Sequence, residues 1–189
     1  FNSKILNKVL RDVPKSEKKG EPHLLDLVLT EPDAGTDVQE PLLLDRGRIG
    51  TIAKKVDGGY VINGRKIFIS NGHFSYWHIV MCSEDKKNPA ETFIQCVIPN
   101  GSKGFSFGTR EKKMGHLAST ASELLFEDCF VPNDWMSIVC QSPDMINSKK
   151  GIRWTVHSMI DYVVSSSRAG VGAIGTGIAR GAYEAAMSY

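Results

Sequence analysis

Short apolar runs separated by turn residues fill positions 49–130, and their alternation predicts β-strands in place of helices. Strands are expected over 27–29 and 67–69, and again near 77–82, 92–98, 104–108 and 123–131. Asp57-Gly58-Gly59 and Asn63-Gly64 predict hairpin turns, because these residues accept positive φ at small cost. The spacing of the runs predicts a barrel or sandwich.

At both ends the period changes to that of a helix. Ile5, Leu6, Val9 and Leu10 recur at helical spacing behind Ser3, a candidate N-cap. Lys15 to Pro22 reads as a charged linker, and a helical pattern takes over from about Trp154 and is unfinished at Tyr189. The expected organisation is mainly β, flanked by pieces of helical domains. Residues 1–22 would end an N-terminal helical region, 23–135 form the β-domain, 136–153 connect, and 154–189 open a C-terminal helical domain. With Phe at position 1 and Tyr189 inside a helical pattern, the chain reads as part of a longer protein. Positions 39–50, with Pro41 and the leucines 42–44, read as an inserted loop that packs on the barrel rim or covers a nearby entrance.

Composition narrows the classes. A 41% hydrophobic content suffices for a core, and the net charge of +2, from 23 basic and 21 acidic residues without a basic run, argues against a nucleic-acid surface. Cys82, Cys96, Cys129 and Cys140 show neither a CxxC pair nor a histidine at metal-ligand spacing, so they read as buried thiols in a reducing compartment. No apolar run approaches bilayer length and no signal peptide is visible, which predicts a protein without a membrane span. His23, His73, His78, His116 and His157 share no spacing and read as turn or surface residues. Glu123 and Asp128 read as exposed charges at strand ends.

Two stretches carry candidate chemistry: LVLTEPDAGTD at 27–37 and KIFISNG at 66–72. Each ends a strand in a hydroxyl residue, Thr30 in the first and Ser70 in the second, and turns away through small residues. Gly35 lacks a side chain, so main-chain amides near it can approach a ligand closely, and Phe68 sets an aromatic ring beside Ser70. A flavin or a phosphate would suit such a surface. In the last helical pattern, Gly170, Gly172 and Gly175 match the dinucleotide fingerprint GxGxxG, with 162–164 as a conceivable preceding strand. Ala169, Ala173, Gly177, Gly181 and Ala185, recurring every fourth residue, favour a smooth helix face for packing instead.

On LTEPDAGTD, DGGYVINGRKIFISNG, KGFSFG, KKMG and ELLFEDCFVP, in register over 29–132, and on RAGVGAIGTGIARGAYEAA at 168–186, the chain resembles the acyl-CoA dehydrogenase family. Phe68 stands where that family usually has Trp, and Ser70 where it often has Thr. The resemblance implies FAD-dependent oxidation of an acyl-CoA thioester to its trans-2-enoyl form, with electron-transferring flavoprotein as acceptor. It also implies a homo-oligomer in the cytoplasm, or in the mitochondrial matrix of a eukaryote. It would place the backbone around Leu27 and Leu29, with Thr30, at the pyrimidine side of the ring, Gly35 against the cofactor, and Thr36 at the FAD pyrophosphate or the thioester's pantetheine. Phe68, Ile69 and Ser70 would lie along the ring, while Thr36 and Arg168 would reach substrate. The carboxylate base of the family lies in its C-terminal domain or just before the arginine of this last helix. Here Ser167 precedes Arg168, so the base is expected outside the chain. An oxidase of the same superfamily, an NAD-binding module and a cofactor-free structural β-domain are the alternatives.

Overall fold

Eight strands curl into one sheet with a helix at either end of the chain, in a computed structural model that describes residues 3–35, 38, 48–89, 92–137 and 151–189. Helix α1 (Ser3–Lys18) precedes β1 (Leu24–Val28), β2 (Ile52–Val56), β3 (Gly59–Ser70) and β4 (Ser75–Ser83). Then come β5 (Phe93–Pro99), β6 (Phe105–Arg110), β7 (Ala121–Pro132), a 3-10 turn (Asn133–Trp135), β8 (Met136–Ser137) and helix α2 (Gly151–Ser188). The order across the sheet is β6-β7-β3-β2-β4-β5-β8, and β1 lies parallel to β4.

The mainly β architecture expected from the alternation is present, and so is the 57–59 hairpin, where Val56 faces Gly59 and Gly58 has φ 76°. The second expected hairpin is absent. Asn63 and Gly64 lie inside β3, where the register with β7 shifts between Ile62 and Gly64. A Cβ on Gly64 would stand 2.5 Å from Thr51 Cα, so this glycine serves the close approach of β2 to β3 and not a turn. Helix α1 also runs through Pro14 to Lys18, into the stretch read as a linker. β1 alternates where a continuously buried run was expected: Val28 is fully buried while Leu27 is 41% exposed.

The sheet encloses a core in which Val28, Ala53, Ile62, Val80, Leu124, Phe126 and Val131 meet the free thiols of Cys82, Cys96 and Cys129. Burial pushes the Cys129 thiol up to about 11, as expected of an inert interior cysteine. Cys140 lies outside the described residues. A second cluster gathers Leu29, Ala34, Val38, Ile49, Met81 and Phe93, with Val164 of α2 packed against it. A third seats α1, through Ile5 and Val9, on Trp77 and Val97. Among the described residues no helix is long and apolar enough to cross a membrane.

Candidate functional site

The end of β1 and the middle of β3 are fastened side by side. Ile67 N donates to Thr30 O at 2.9 Å, and Lys66 Nζ donates to Leu29 O at 2.9 Å. Lys66 Nζ also lies 2.7 Å from Glu31 Oε1, and the same carboxylate accepts the amides of Gly50 and, at 3.1 Å, of Thr51. Lys66 is 1% and Glu31 5% exposed, and two such charges can be buried only as a hydrogen-bonded pair. Burial draws the Lys66 ammonium below its usual range, and Glu31 opposes that shift.

Beyond Thr30 the chain closes a tight turn. Glu31 N donates to Ala34 O at 2.8 Å and Ala34 N returns a bond to Glu31 O at 3.3 Å, while Ala34 itself is buried. A Cβ built on Gly35 would meet nothing within 4 Å, so the outer side of the turn is open. Thr36 lies outside the described residues, as do residues 39–47 of the 39–50 stretch.

β3 departs from regular pairing between Lys66 and Ile69. In that bulge Phe68 adopts φ 58° and stands 58% exposed, a left-handed backbone that a bulky residue takes only when its surroundings enforce it. Ile69 turns back into the core, and Ser70 ends the strand exposed. Asn71, also left-handed at φ 58°, donates its amide to Thr120 O at 2.8 Å.

The two motifs are thus one surface: Thr30 beside Ile67, followed by Phe68 and Ser70, with the open turn at Gly35 adjoining. Leu29 and Ile69 put their side chains into buried clusters, so only their main chain is available to a ligand. Leu27 is on the exposed phase of β1. Arg168 follows Val164 by one helical turn, and α2 leans through Val164 on the cluster that contains Leu29 and Ala34. An exposed ring, hydroxyls at two adjoining strand ends and an open small-residue turn suit a flat heterocycle with a polar edge.

Several sequence expectations are corrected here. Residues 162–164 are helical and the glycines 170, 172 and 175 sit inside α2, so the fingerprint has no strand before it and the NAD-module alternative falls. Glu123 is 7% exposed, bonded to Arg65 and to the Thr109 amide at 2.9 Å, and is not a strand-end charge. His78 is fully buried, with Nδ1 2.9 and 3.0 Å from the oxygens of Asp26, and its ring packs on Phe105 at 4.7 Å.

Sequence reasoning misses Glu31 and Lys66, although each lies within one of the two motifs. The available signal is phase: Lys66 falls on the inward positions of β3 with Ile62, where a charge requires a partner. Among the described residues no cluster of His, Cys, Asp and Glu could hold a metal ion.

The family model described as acyl-CoA dehydrogenase, middle domain, matches residues 27–129. The chain belongs to the acyl-CoA dehydrogenase family, a family of oxidoreductases. It is 35% identical to the short-chain specific acyl-CoA dehydrogenase of Clostridium acetobutylicum over 85% of its own length and 37% of that protein. It is 31% identical to the acryloyl-CoA reductase (NADH) of Anaerotignum propionicum over 94% of the chain and 40% of that protein. Among solved structures, the butyryl-CoA dehydrogenase of Megasphaera elsdenii shares 38% identity and a TM-score of 0.54 over 60% of this chain and 28% of its own. The chain therefore spans little more than a third of the length of the curated relatives it matches.

Proposed function

We propose that this chain is the flavin-binding part of an enzyme that oxidises an acyl-CoA thioester to the trans-2-enoyl thioester. The observation that carries the reading is the fastening of Thr30 to Ile67 at 2.9 Å, which sets the exposed Phe68 and Ser70 beside the open 31–35 turn. FAD, when bound, would supply the acceptor for the hydride leaving the β-carbon. Phe68 would lie against the ring, and Ser70 would donate a hydrogen bond where negative charge develops. Such a donor acts chiefly in the transition state. Thr30 and the main chain of Leu27, Leu29 and Ile69 would hold the polar edge, with Gly35 against the cofactor and Thr36 at the phosphates. Arg168 would meet substrate from α2.

The base that removes the α-proton belongs, in this reading, to a part of the protein beyond this chain, since Ser167 holds the position before Arg168. Electron-transferring flavoprotein would reoxidise the enzyme, and a homo-oligomer would complete the cofactor site. The relatives include an isovaleryl-CoA dehydrogenase of Arabidopsis thaliana described as mitochondrial, 35% identical over 59% of this chain. A matrix location follows if this protein is eukaryotic, and a cytoplasmic one otherwise.

The test is the visible spectrum of the full-length protein before and after anaerobic addition of short, long and branched acyl-CoAs. A yellow protein bleached by one of them is expected. A colourless protein overturns the flavin reading and favours a structural β-domain, and a yellow one bleached by none overturns dehydrogenation. Turnover with oxygen but not with electron-transferring flavoprotein would make it an oxidase.

A further inference from the structure

We propose that Lys66 is a positioning residue of the flavin site: its buried pairing with Glu31 turns the Leu29–Thr30 peptide so that the Thr30 amide is presented as a hydrogen-bond donor. The inference rests on the flavin reading above. Lys66 Nζ holds Leu29 O at 2.9 Å on the buried side of the turn. Among the described residues no peptide is cis, and in a trans peptide the N–H points opposite to the C=O. With the Leu29 carbonyl held inward, the Thr30 N–H is aimed out of the protein. Among the described residues it donates to no main-chain acceptor outside the strand ladders, whereas the Thr30 carbonyl is committed to Ile67 N.

Stability alone does not account for the pair. Well-packed apolar residues often replace a buried ion pair without loss. An apolar side chain at 66 could fill the space, but it could not hold a carbonyl oxygen. The lysine in turn needs Glu31, whose carboxylate lies 2.7 Å from its Nζ and also takes the Thr51 amide at 3.1 Å, so that β2 braces the same turn. One residue further along β3, Ile67 binds Thr30, and the next, Phe68, is turned outward at φ 58°. Donor and ring are therefore set by one buried fastening.

The experiment compares full-length wild type with the double variant Lys66→Met/Glu31→Gln, which removes both charges together and leaves a side-chain amide oxygen at position 31 to accept from Thr51 N. Three quantities are read: the flavin carbonyl stretch in the infrared, the FAD dissociation constant on reconstitution, and the melting temperature of the apoprotein. The expected result is a cooperative melt close to wild type, a carbonyl stretch moved to higher frequency, and FAD bound roughly tenfold more weakly, the scale of one lost hydrogen bond. Wild-type frequency and affinity in the double variant would overturn the proposal, because a merely structural lysine changes the melt and not the band. Wild type alone also decides: a carbonyl band at the position of flavin in aprotic solvent would show that no donor meets it. A colourless wild type overturns the flavin reading itself, whereas a yellow wild type with an unchanged variant overturns only the role of Lys66.

Discussion

Asp26 and His78 face each other across the parallel pair of β1 and β4, with both carboxylate oxygens within 3.0 Å of His78 Nδ1 and the histidine fully buried. Burial raises the Asp26 carboxyl above its ordinary range and His78 only partly opposes this. The folded state therefore holds its proton more tightly than the unfolded chain. That contribution to stability is complete below the unfolded value of about 3.9 and is lost as pH rises through the higher folded value. The unfolding free energy of wild type minus that of Asp26→Asn should decline over that window and then level off. A difference that grew with pH would show that His78 favours the carboxylate more than burial penalises it.

Gly64→Ala should destabilise the domain by about 2–4 kcal/mol, in the range of severe packing clashes. Its Cβ would stand 2.5 Å from Thr51 Cα, a backbone atom that can move only if β2 leaves β3. Urea unfolding of the full-length protein measures this. A loss below about 0.5 kcal/mol, the scale of surface changes, would mean that the two strands separate freely.

Phe68→Gly should separate stability from cofactor binding. Relief of the left-handed backbone at φ 58° is worth about 1 kcal/mol, so the apoprotein should melt higher. FAD should at the same time be released faster, because the exposed ring is gone. Phe68→Trp should retain the cofactor. Loss of stability and of FAD together in the glycine variant would make Phe68 a structural residue.

Asp12 anchors α1: its Oδ2 accepts from His23 Nδ1 at 2.6 Å and from Trp77 Nε1 at 2.7 Å. Removing it by Asp12→Ala should cost about 1 kcal/mol, a typical hydrogen-bond contribution, and expose α1 to hydrogen exchange. The bond to His23 holds the Asp12 carboxyl below its usual range. The anchor is thus intact above an unfolded value of about 3.9 and weakens as pH falls through the lower folded one. Trp77 emission should follow that acid transition in wild type and be free of it in the variant.

Local chemistry was legible in the sequence wherever one segment decided it. Short apolar runs near 77–82, 92–98 and 123–131, bounded by turn residues, name the strands found at 75–83, 93–99 and 121–132, and Asp57-Gly58 names a hairpin because few residues accept its backbone. The motifs containing Thr30, Gly35, Phe68 and Ser70 were also found from sequence, as strand ends carrying hydroxyls beside small residues.

What remained hidden depends on partners distant in the chain. Asn63-Gly64 carries the letters of a hairpin, but Thr51 packs against Gly64 and the strand continues, a demand that appears only when β2 is laid on β3. Glu31 and Lys66 are thirty-five positions apart and His78 and Asp26 fifty-two, so their burial follows from strands brought together by the whole sheet. A sequence determines which residues can alternate, turn or donate. Which charge finds a counterpart out of water, and which peptide is thereby turned toward a ligand, is decided by tertiary structure, because pairing energy exists only once the strands have met.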